Sequence, residues 1–181
     1  MAYVALLRGI NVGGNAPVDM KQLKATFERL GLRDVRTYIN SGNVVFTGGG
    51  KDRTRLRRRI ERAVNEDFGL DVAVLLRDAD ELRAVVDALP KGWANDGVHK
   101  CDVLFSDDFT SPKSVDLLPL TPGIEETRFA PGAILCRVPR AKQSKSKLTR
   151  MVGTDLYKRM TARNCNTARK LYELARQAGD A

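Results

Sequence analysis

Four short apolar runs and two amphipathic segments alternate in the first 78 residues, in an order that fits few folds. The runs that predict strands are Tyr3–Leu7, Val35–Ile39, Val44–Phe46 and Val72–Leu76. Residues with helical spacing lie between the first and second runs and between the third and fourth. The resulting order, β-α-β-β-α-β, is that of a ferredoxin-like α/β plait with an antiparallel sheet.

Both amphipathic segments carry boundary signals. The first begins near Asp19 and ends at Gly31, because Asp caps a helix start and Gly readily adopts the left-handed backbone that closes one. The second covers Lys51–Phe68 and contains seven Lys or Arg and four acidic residues. With its charge partly balanced, this helix is interpreted as exposing an ordinary solvated face.

The second half of the chain contains the same kinds of element in a less regular order. The elements predicted are a helix over Ala79–Leu89, a strand over Cys101–Phe105, a short helix over Ser111–Leu118, a hairpin of Glu125–Phe129 with Ala133–Val138, and helices near Lys145–Arg159 and Asn166–Gln177. We therefore predict an α+β protein of two ferredoxin-like units packed together, residues 1–77 and 78–181, with helices on one face of each antiparallel sheet. Alternatively, the C-terminal helices fold back onto the first unit and make the domains discontinuous.

Positive charge is concentrated near the C-terminus. Between residues 137 and 170 there are eleven Lys or Arg and one acidic residue, Asp155, a net charge of +10 against +9 for the whole chain. The rest of the chain is therefore close to neutral, and no acid occurs from Arg137 to Thr154. Because concentrated positive charge repels itself in the folded state, we expect an anionic partner to neutralise it.

The Gly-rich loop Arg8–Asn15 follows the first predicted strand and leads into a helix, where backbone amides and the helix dipole favour an anion. The candidate ligand-binding residues here are Arg8, Gly9, Asn11, Gly13 and Gly14. The loop matches neither the P-loop pattern nor the dinucleotide-binding pattern. A tight connection that needs glycine only for its backbone is the alternative.

The turn Asn40–Asn43 joins two predicted strands and contributes Ser41 and Asn43 as candidates beside that loop. Its alternative interpretation is a simple hairpin turn.

Further candidates lie in the cationic C-terminal part. Lys147 belongs to a polar run, Arg163 and Asn164 precede a predicted helix, and Lys170 lies within it. Cations near a helix N-terminus are unfavourable by a few tenths of a kcal/mol each, and a bound phosphate or carboxylate would remove that conflict. The alternative is a solvated helix start.

Other chemistry finds little support. His99 is the single histidine, and Cys101, Cys136 and Cys165 are too widely spaced for a metal site or a disulfide framework. We predict no metal and no cofactor, and no catalytic residue is identified. The apolar runs are far shorter than the ~20 residues that span a bilayer. We therefore expect a reduced cytoplasmic protein without membrane attachment, and favour a monomer.

Four blocks of sequence resemble the bacterial domain-of-unknown-function family 1697 (DUF1697), and together they span nearly the whole chain. The blocks are Leu7–Gly14, Tyr38–Phe46, Lys147–Thr149 and Thr161–Leu171. The resemblance implies two ferredoxin-like units and no established activity. Eight of the candidates named above fall on these blocks: Arg8, Asn11, Ser41, Asn43, Lys147, Arg163, Asn164 and Lys170. The family usually has Trp where this chain has Cys165, which argues against a nucleophilic role for that thiol.

The function predicted from these observations is binding of a phosphate-bearing ligand, either a nucleotide or nucleic acid. The Gly-rich loop, the Ser41 turn and the Arg163 helix start are expected to converge in one basic cleft. Two alternatives are a small metal-free enzyme acting on an anionic metabolite and a module that binds an acidic protein partner.

Overall fold

A computed structural model describes residues 1–14 and 16–180. The chain forms two compact units. The first comprises Met1–Ala79 together with the chain from Leu171 onward, and the second comprises Asp80–Lys170. Each unit contains one four-stranded sheet.

The first unit has the predicted β-α-β-β-α-β order. Its elements are β1 (Ala2–Leu7), α1 (Met20–Arg29), β2 (Arg33–Tyr38), β3 (Asn43–Thr47), α2 (Arg53–Phe68) and β4 (Val74–Asp78). The strands pair antiparallel in the order β2-β3-β1-β4. This is the ferredoxin-like arrangement, so the predicted fold class is confirmed.

The helices of the first unit begin and end where their boundary residues require. The Asp19 carboxylate accepts a hydrogen bond from the Gln22 amide, and Asp52 does the same for Arg55 at the start of α2. Gly69, in the left-handed region with φ 65°, ends α2. The apolar side of each helix packs into one core with the sheet. In that core Phe46 lies between Tyr3 and Phe27, with ring centroids 5.9 and 5.5 Å away.

The second unit repeats the same sheet. Its elements are α3 (Ala79–Ala88, whose first residue is grouped with the first unit), β5 (His99–Ser106), β6 (Glu126–Ala130), β7 (Ala133–Pro139), α4 (Asp155–Lys158), β8 (Met160–Asn164) and the start of α5 (Cys165–Gly179). The strand order is β6-β7-β5-β8, again antiparallel, which is the order of the first sheet shifted along the chain. A smaller core covers one face and includes Leu104, Ile134 and Met160.

The helical layer of the second unit differs from the prediction. The helix predicted over Lys145–Arg159 is wrong: 3-10 helices cover Arg140–Lys145 and Leu148–Met151, and only α4 is α-helical. Gly153, with φ 88°, interrupts this region before α4 begins. The short helix predicted at Ser111–Leu118 is a 3-10 helix over Pro112–Leu117.

Strand β8 was missed by the sequence analysis, which assigned its residues to the approach of the last helix. Its sequence, Met-Thr-Ala-Arg-Asn, has a single β-branched residue and therefore little strand propensity. Antiparallel pairing with β5, from Asp102↔Asn164 to Ser106↔Met160, gives it the strand conformation. Among the described residues, no helix is long and apolar enough to cross a membrane.

Candidate functional site

In the first unit, the Gly-rich loop and the β2–β3 turn are hydrogen-bonded to each other. The Asn11 side chain donates to the Asn40 carbonyl at 2.9 Å and to the Val18 carbonyl at 3.0 Å, and it accepts from the Val18 amide at 2.8 Å. The Leu7 amide donates to the Gly42 carbonyl at 2.8 Å. The side-chain amide of Asn11 therefore joins the loop, the turn and the segment that leads into α1. Its donor and acceptor groups bond to the protein backbone.

Glycine is required at position 42 by both conformation and space. Its φ is 78°, and an added Cβ would lie 2.8 Å from Ile10 Cδ1 and 3.0 Å from Leu7 Cβ. The turn is closed from inside by Asn43, a buried residue whose side-chain amide donates to the Tyr38 carbonyl and the Ser41 hydroxyl, both at 3.0 Å. The predicted candidate Asn43 thus shapes the turn.

A depression of about 510 Å³ opens beside these loops at the start of α1. Two predicted residues, Asn11 and Gly14, line it, and its charged lining residues are Asp19 and Lys21. Within the described part of the chain, Arg8, Gly9, Gly13, Ser41 and Asn43 are not among the lining residues. Arg8 directly follows β1, is half-buried, and its amide donates to the Ala73 carbonyl at 3.0 Å. The predicted loop ends at Asn15, which lies outside the described residues.

In the second unit, the cationic segment divides into paired and unpaired charges. Arg137 pairs with Glu126 at 2.6 Å, Arg159 pairs with Asp108 at 2.8 Å, and Arg140 donates to the Asp96 carbonyl at 2.6 Å. By contrast, four exposed cations have no side-chain hydrogen bond or ion pair within residues 1–14 and 16–180: Lys142, Lys145, Lys147 and Arg150.

The middle of the segment that carries these four cations is tethered by hydrogen bonds to Glu125 and Thr121. Glu125 accepts from the Thr121 amide at 2.6 Å and from the Ser146 hydroxyl. The Lys147 amide in turn donates to the Thr121 hydroxyl at 3.2 Å. The segment is therefore anchored while its charged side chains stay exposed to solvent.

Arg163 directly precedes the cap of α5 but belongs to a strand. It is the fourth residue of β8, only 7% exposed, and its guanidinium donates to the Thr161 hydroxyl and the Ala162 carbonyl, both at 2.8 Å. Burial lowers the pKa of Arg163 to about 10. The helix cap is Asn164, whose side-chain oxygen accepts from the Thr167 amide at 2.8 Å. Lys170, within α5, is half-buried.

The Cys165 thiol is buried and lies 3.7 Å from the Trp93 carbonyl. A hydrogen bond from the Cys101 thiol and the charge of Arg169 lower the pKa of Cys165 against the opposing effect of burial. Being fully buried, Cys165 packs in the interior and exposes no nucleophile. Across the described ranges, no group of three or more His, Cys, Asp or Glu side chains is placed to hold a metal ion.

Helix α2, whose charged side was predicted to be an ordinary solvated face, carries a second basic surface. Four exposed arginines of α2 line a depression of about 370 Å³ together with Asp52 and Thr54: Arg55, Arg58, Arg59 and Arg62. The four acidic residues of this segment partly balance its charge along the sequence, but the sequence does not show which of these carboxylates lie beside the arginines. The spacing of three, four and seven residues, which places side chains on one helix face, was the available signal.

The fold defines the class: a two-unit, ferredoxin-like α+β protein. The chain belongs to the DUF1697 family, described as a protein of unknown function, whose family model matches residues 1–135. That match ends before Lys147, so the two C-terminal sequence blocks lie outside it.

The structure is also similar to a solved one, the conserved bacterial protein SP0830 from Streptococcus pneumoniae, with a TM-score of 0.79 and 27% sequence identity. The likeness covers 96% of this chain and 98% of that one. No curated protein matches the chain significantly.

Proposed function

We propose that this protein binds a phosphate-bearing ligand through the exposed segment of residues 142–150. One observation carries the proposal: Lys142, Lys145, Lys147 and Arg150 are exposed, lie in a stretch without an acid, and have no ion-pair partner in the part of the chain that the structure describes. Four like charges so close together repel one another, and a bound polyanion would offset that repulsion.

The local structure supports such a role. Hydrogen bonds to Thr121 and Glu125 tether the middle of the segment, residues 145–147, so little main-chain conformational entropy would be lost there when a ligand binds. Lysine dominates the cluster, and its compact ammonium group binds phosphate as a point charge without demanding one geometry. These properties favour a nucleotide, a nucleic acid or another phosphorylated molecule over a flat apolar ligand.

The roles of the other predicted candidates change in this proposal. The side chains of Asn11, Asn43 and Asn164 are engaged in hydrogen bonds that shape a loop, a turn and a helix start. We assign them to the support of the fold. Because Arg163 is buried, its replacement would disturb the sheet, and it is a poor probe of ligand binding.

The test is a thermal-shift screen of nucleotides, phosphorylated metabolites and short oligonucleotides at 50 and 200 mM salt. A ligand at 100 times its Kd should stabilise the protein by about 2.7 kcal/mol. The affinity for a polymer falls steeply with salt, and that for a mononucleotide falls little.

The double variant Lys145→Gln/Lys147→Gln should lose the stabilisation. The control Lys91→Gln/Lys113→Gln removes two exposed lysines from elsewhere in the second unit and should keep it. Equal stabilisation of the first variant and the wild type would overturn the proposal, as would a screen in which no phosphate-bearing compound stabilises the protein.

A further inference from the structure

The four exposed arginines of α2 form a continuous surface on one side of the helix. Arg58, Arg59 and Arg62 follow Arg55 by three, four and seven residues, and the four therefore lie side by side over two turns. The rise of 1.5 Å per residue makes the surface roughly 10 Å long. The opposite side of α2, with Leu56, Ile60 and Val64, is buried in the core of the first unit.

The acidic residues of this helix are largely committed elsewhere. Asp52 accepts from the Arg55 backbone amide as the helix cap, and Glu61 accepts from the Val74 amide at 3.0 Å. Asp67 binds the Arg29 guanidinium and the Thr26 hydroxyl, and these contacts hold the pKa of Asp67 below its usual range. Glu61 and Asp67 are thus engaged away from the exposed guanidinium groups, whereas Asp52 lines the same depression as the arginines. Glu66 is exposed four residues after Arg62, on the same side of the helix, so the face carries one carboxylate at each end.

Three of the four arginines are unpaired. Arg55, Arg58 and Arg62 have no side-chain hydrogen bond or ion pair to any residue of 1–14 and 16–180. Arg59 donates to the Leu30 carbonyl at 2.8 Å and keeps its charge exposed. The helix therefore presents four guanidinium groups. Three of these, those of Arg55, Arg58 and Arg62, form no ion pair with any carboxylate of the described residues.

We propose that this arginine face of α2 binds the phosphate backbone of double-stranded nucleic acid without reading its sequence. This surface is made of other residues than the segment 142–150, so the inference stands apart from the proposed function. Guanidinium groups match phosphate oxygens in bidentate geometry. A DNA duplex carries one charge per 1.7 Å of its axis, so about six phosphates fall within the length of the face.

The composition of the face disfavours other partners. The exposed positions of α2 within residues 53–68 carry no aromatic side chain, which base stacking in single-stranded binding would use. They also carry no apolar residue to enter a lipid interface, because the apolar side of the helix is already buried in the core. A duplex backbone requires neither group.

Fluorescence anisotropy with a labelled 20-base-pair DNA duplex of mixed sequence tests the inference. If all four arginines contact phosphates, affinity should fall about 150-fold between 50 and 200 mM salt, from a slope of roughly −0.9 per contact. The variant Arg58→Gln/Arg62→Gln should bind more weakly, and its affinity should fall only about 12-fold over the same range. Arg58 and Arg62 are exposed, as are the lysines replaced in the variants described next, so circular dichroism should show unchanged folding for each variant.

Lys91→Gln/Lys113→Gln is the control of equal charge: it removes two positive charges outside both proposed surfaces and should keep the salt slope of the wild type. Lys145→Gln/Lys147→Gln alters the segment of the proposed function and tells the two surfaces apart. If all three variants weaken binding alike, attraction by net charge explains the result and the inference fails. It also fails if only the Lys145→Gln/Lys147→Gln variant loses the duplex, an outcome that would support the proposed function instead. A wild-type protein that binds polyglutamate or phosphatidylserine vesicles but not the duplex would overturn the inference as well.

Discussion

The two sheets of this protein have the same strand order, yet their helical layers differ. In the first unit, two capped α-helices of ten and sixteen residues cover the sheet. In the corresponding connections of the second unit, 3-10 helices and the four-residue α4 take their place. The antiparallel strand pairing can therefore persist while the connecting elements shorten, provided that apolar side chains still cover the sheet.

The fourth strands share a further detail. Arg77 in β4 and Arg163 in β8 are each the fourth residue of the strand, are 3% and 7% exposed, and each pairs in register with a valine of the central strand. In both, the guanidinium donates to the carbonyl of the preceding residue at 2.8 Å. Hydrogen bonding offsets the desolvation of a buried charge. The two units thus resemble each other in chemistry as well as in topology.

The aromatic centre of the first core offers the largest contrast. Phe46→Ala should lower the free energy of unfolding by about 4 kcal/mol, because it leaves a cavity between Tyr3 and Phe27. Met151→Ala, in a 3-10 helix over the second core, should cost about 2 kcal/mol, since a flexible side chain packs less specifically. Denaturant unfolding followed by circular dichroism measures both. Equal losses would contradict the expectation that Met151 contributes less to the second core than Phe46 does to the first.

Replacing a glycine of positive φ is also expected to cost more in the first unit than in the second. Gly42→Ala should cost about 3 kcal/mol, because the new methyl group meets Ile10 and Leu7 in addition to the strain of the left-handed backbone. Gly153 in the second unit has a φ of 88°, and nothing lies within 4 Å of a Cβ added there. Gly153→Ala should therefore lower the free energy of unfolding by only about 1 kcal/mol, from backbone strain alone. Thermal unfolding of both variants measures the difference, and a cost at Gly153 as large as that at Gly42 would show that crowding is unimportant.

Thiol titration should affect only the second unit, which contains all three cysteines. Burial raises the pKa of Cys136 to about 12. The unfolded thiol loses its proton near pH 9 while the folded one keeps it, so this group's contribution to stability is complete below pH 9 and is lost as pH rises towards 12. Between pH 8 and 10.5 the free energy of unfolding of the wild type should fall by about 2 kcal/mol more than that of Cys136→Ala. Parallel pH curves for the two proteins would refute the buried, protonated thiol.

The smallest effects are expected at the helix caps. Asp52→Ala removes the side chain that caps the sixteen-residue α2 and should cost about 1 kcal/mol. Thr154→Ala removes the cap of α4 and should cost only about 0.5 kcal/mol, at the lower limit of measured caps, because so short a helix contributes little. Urea midpoints at constant m-value compare the two. A larger loss at Thr154 would make α4 a more important element than its length suggests.

The same contrast explains which parts of the structure could be predicted. In the first unit Asp19, Gly31 and the periodic apolar residues mark the helix ends plainly, so local sequence and tertiary structure agree. In the second unit the strand β8 depends on pairing with β5, a contact between distant residues that local propensity does not encode. For that reason the burial of Arg163 could not be predicted: it follows from the sheet, whereas the sequence around Arg163 shows only that a helix starts two residues later.

The grouping of the last residues with the first unit has a consequence for biosynthesis. The N-terminal unit is complete only when the chain from Leu171 onward has joined it, after residues 80–170 have been made. At 5–20 residues per second, that interval is on the order of 5 to 18 seconds. During this time the first sheet and the two helices α1 and α2 that pack on it have already been made, so the main core of the unit can form before the segment from Leu171 onward joins it.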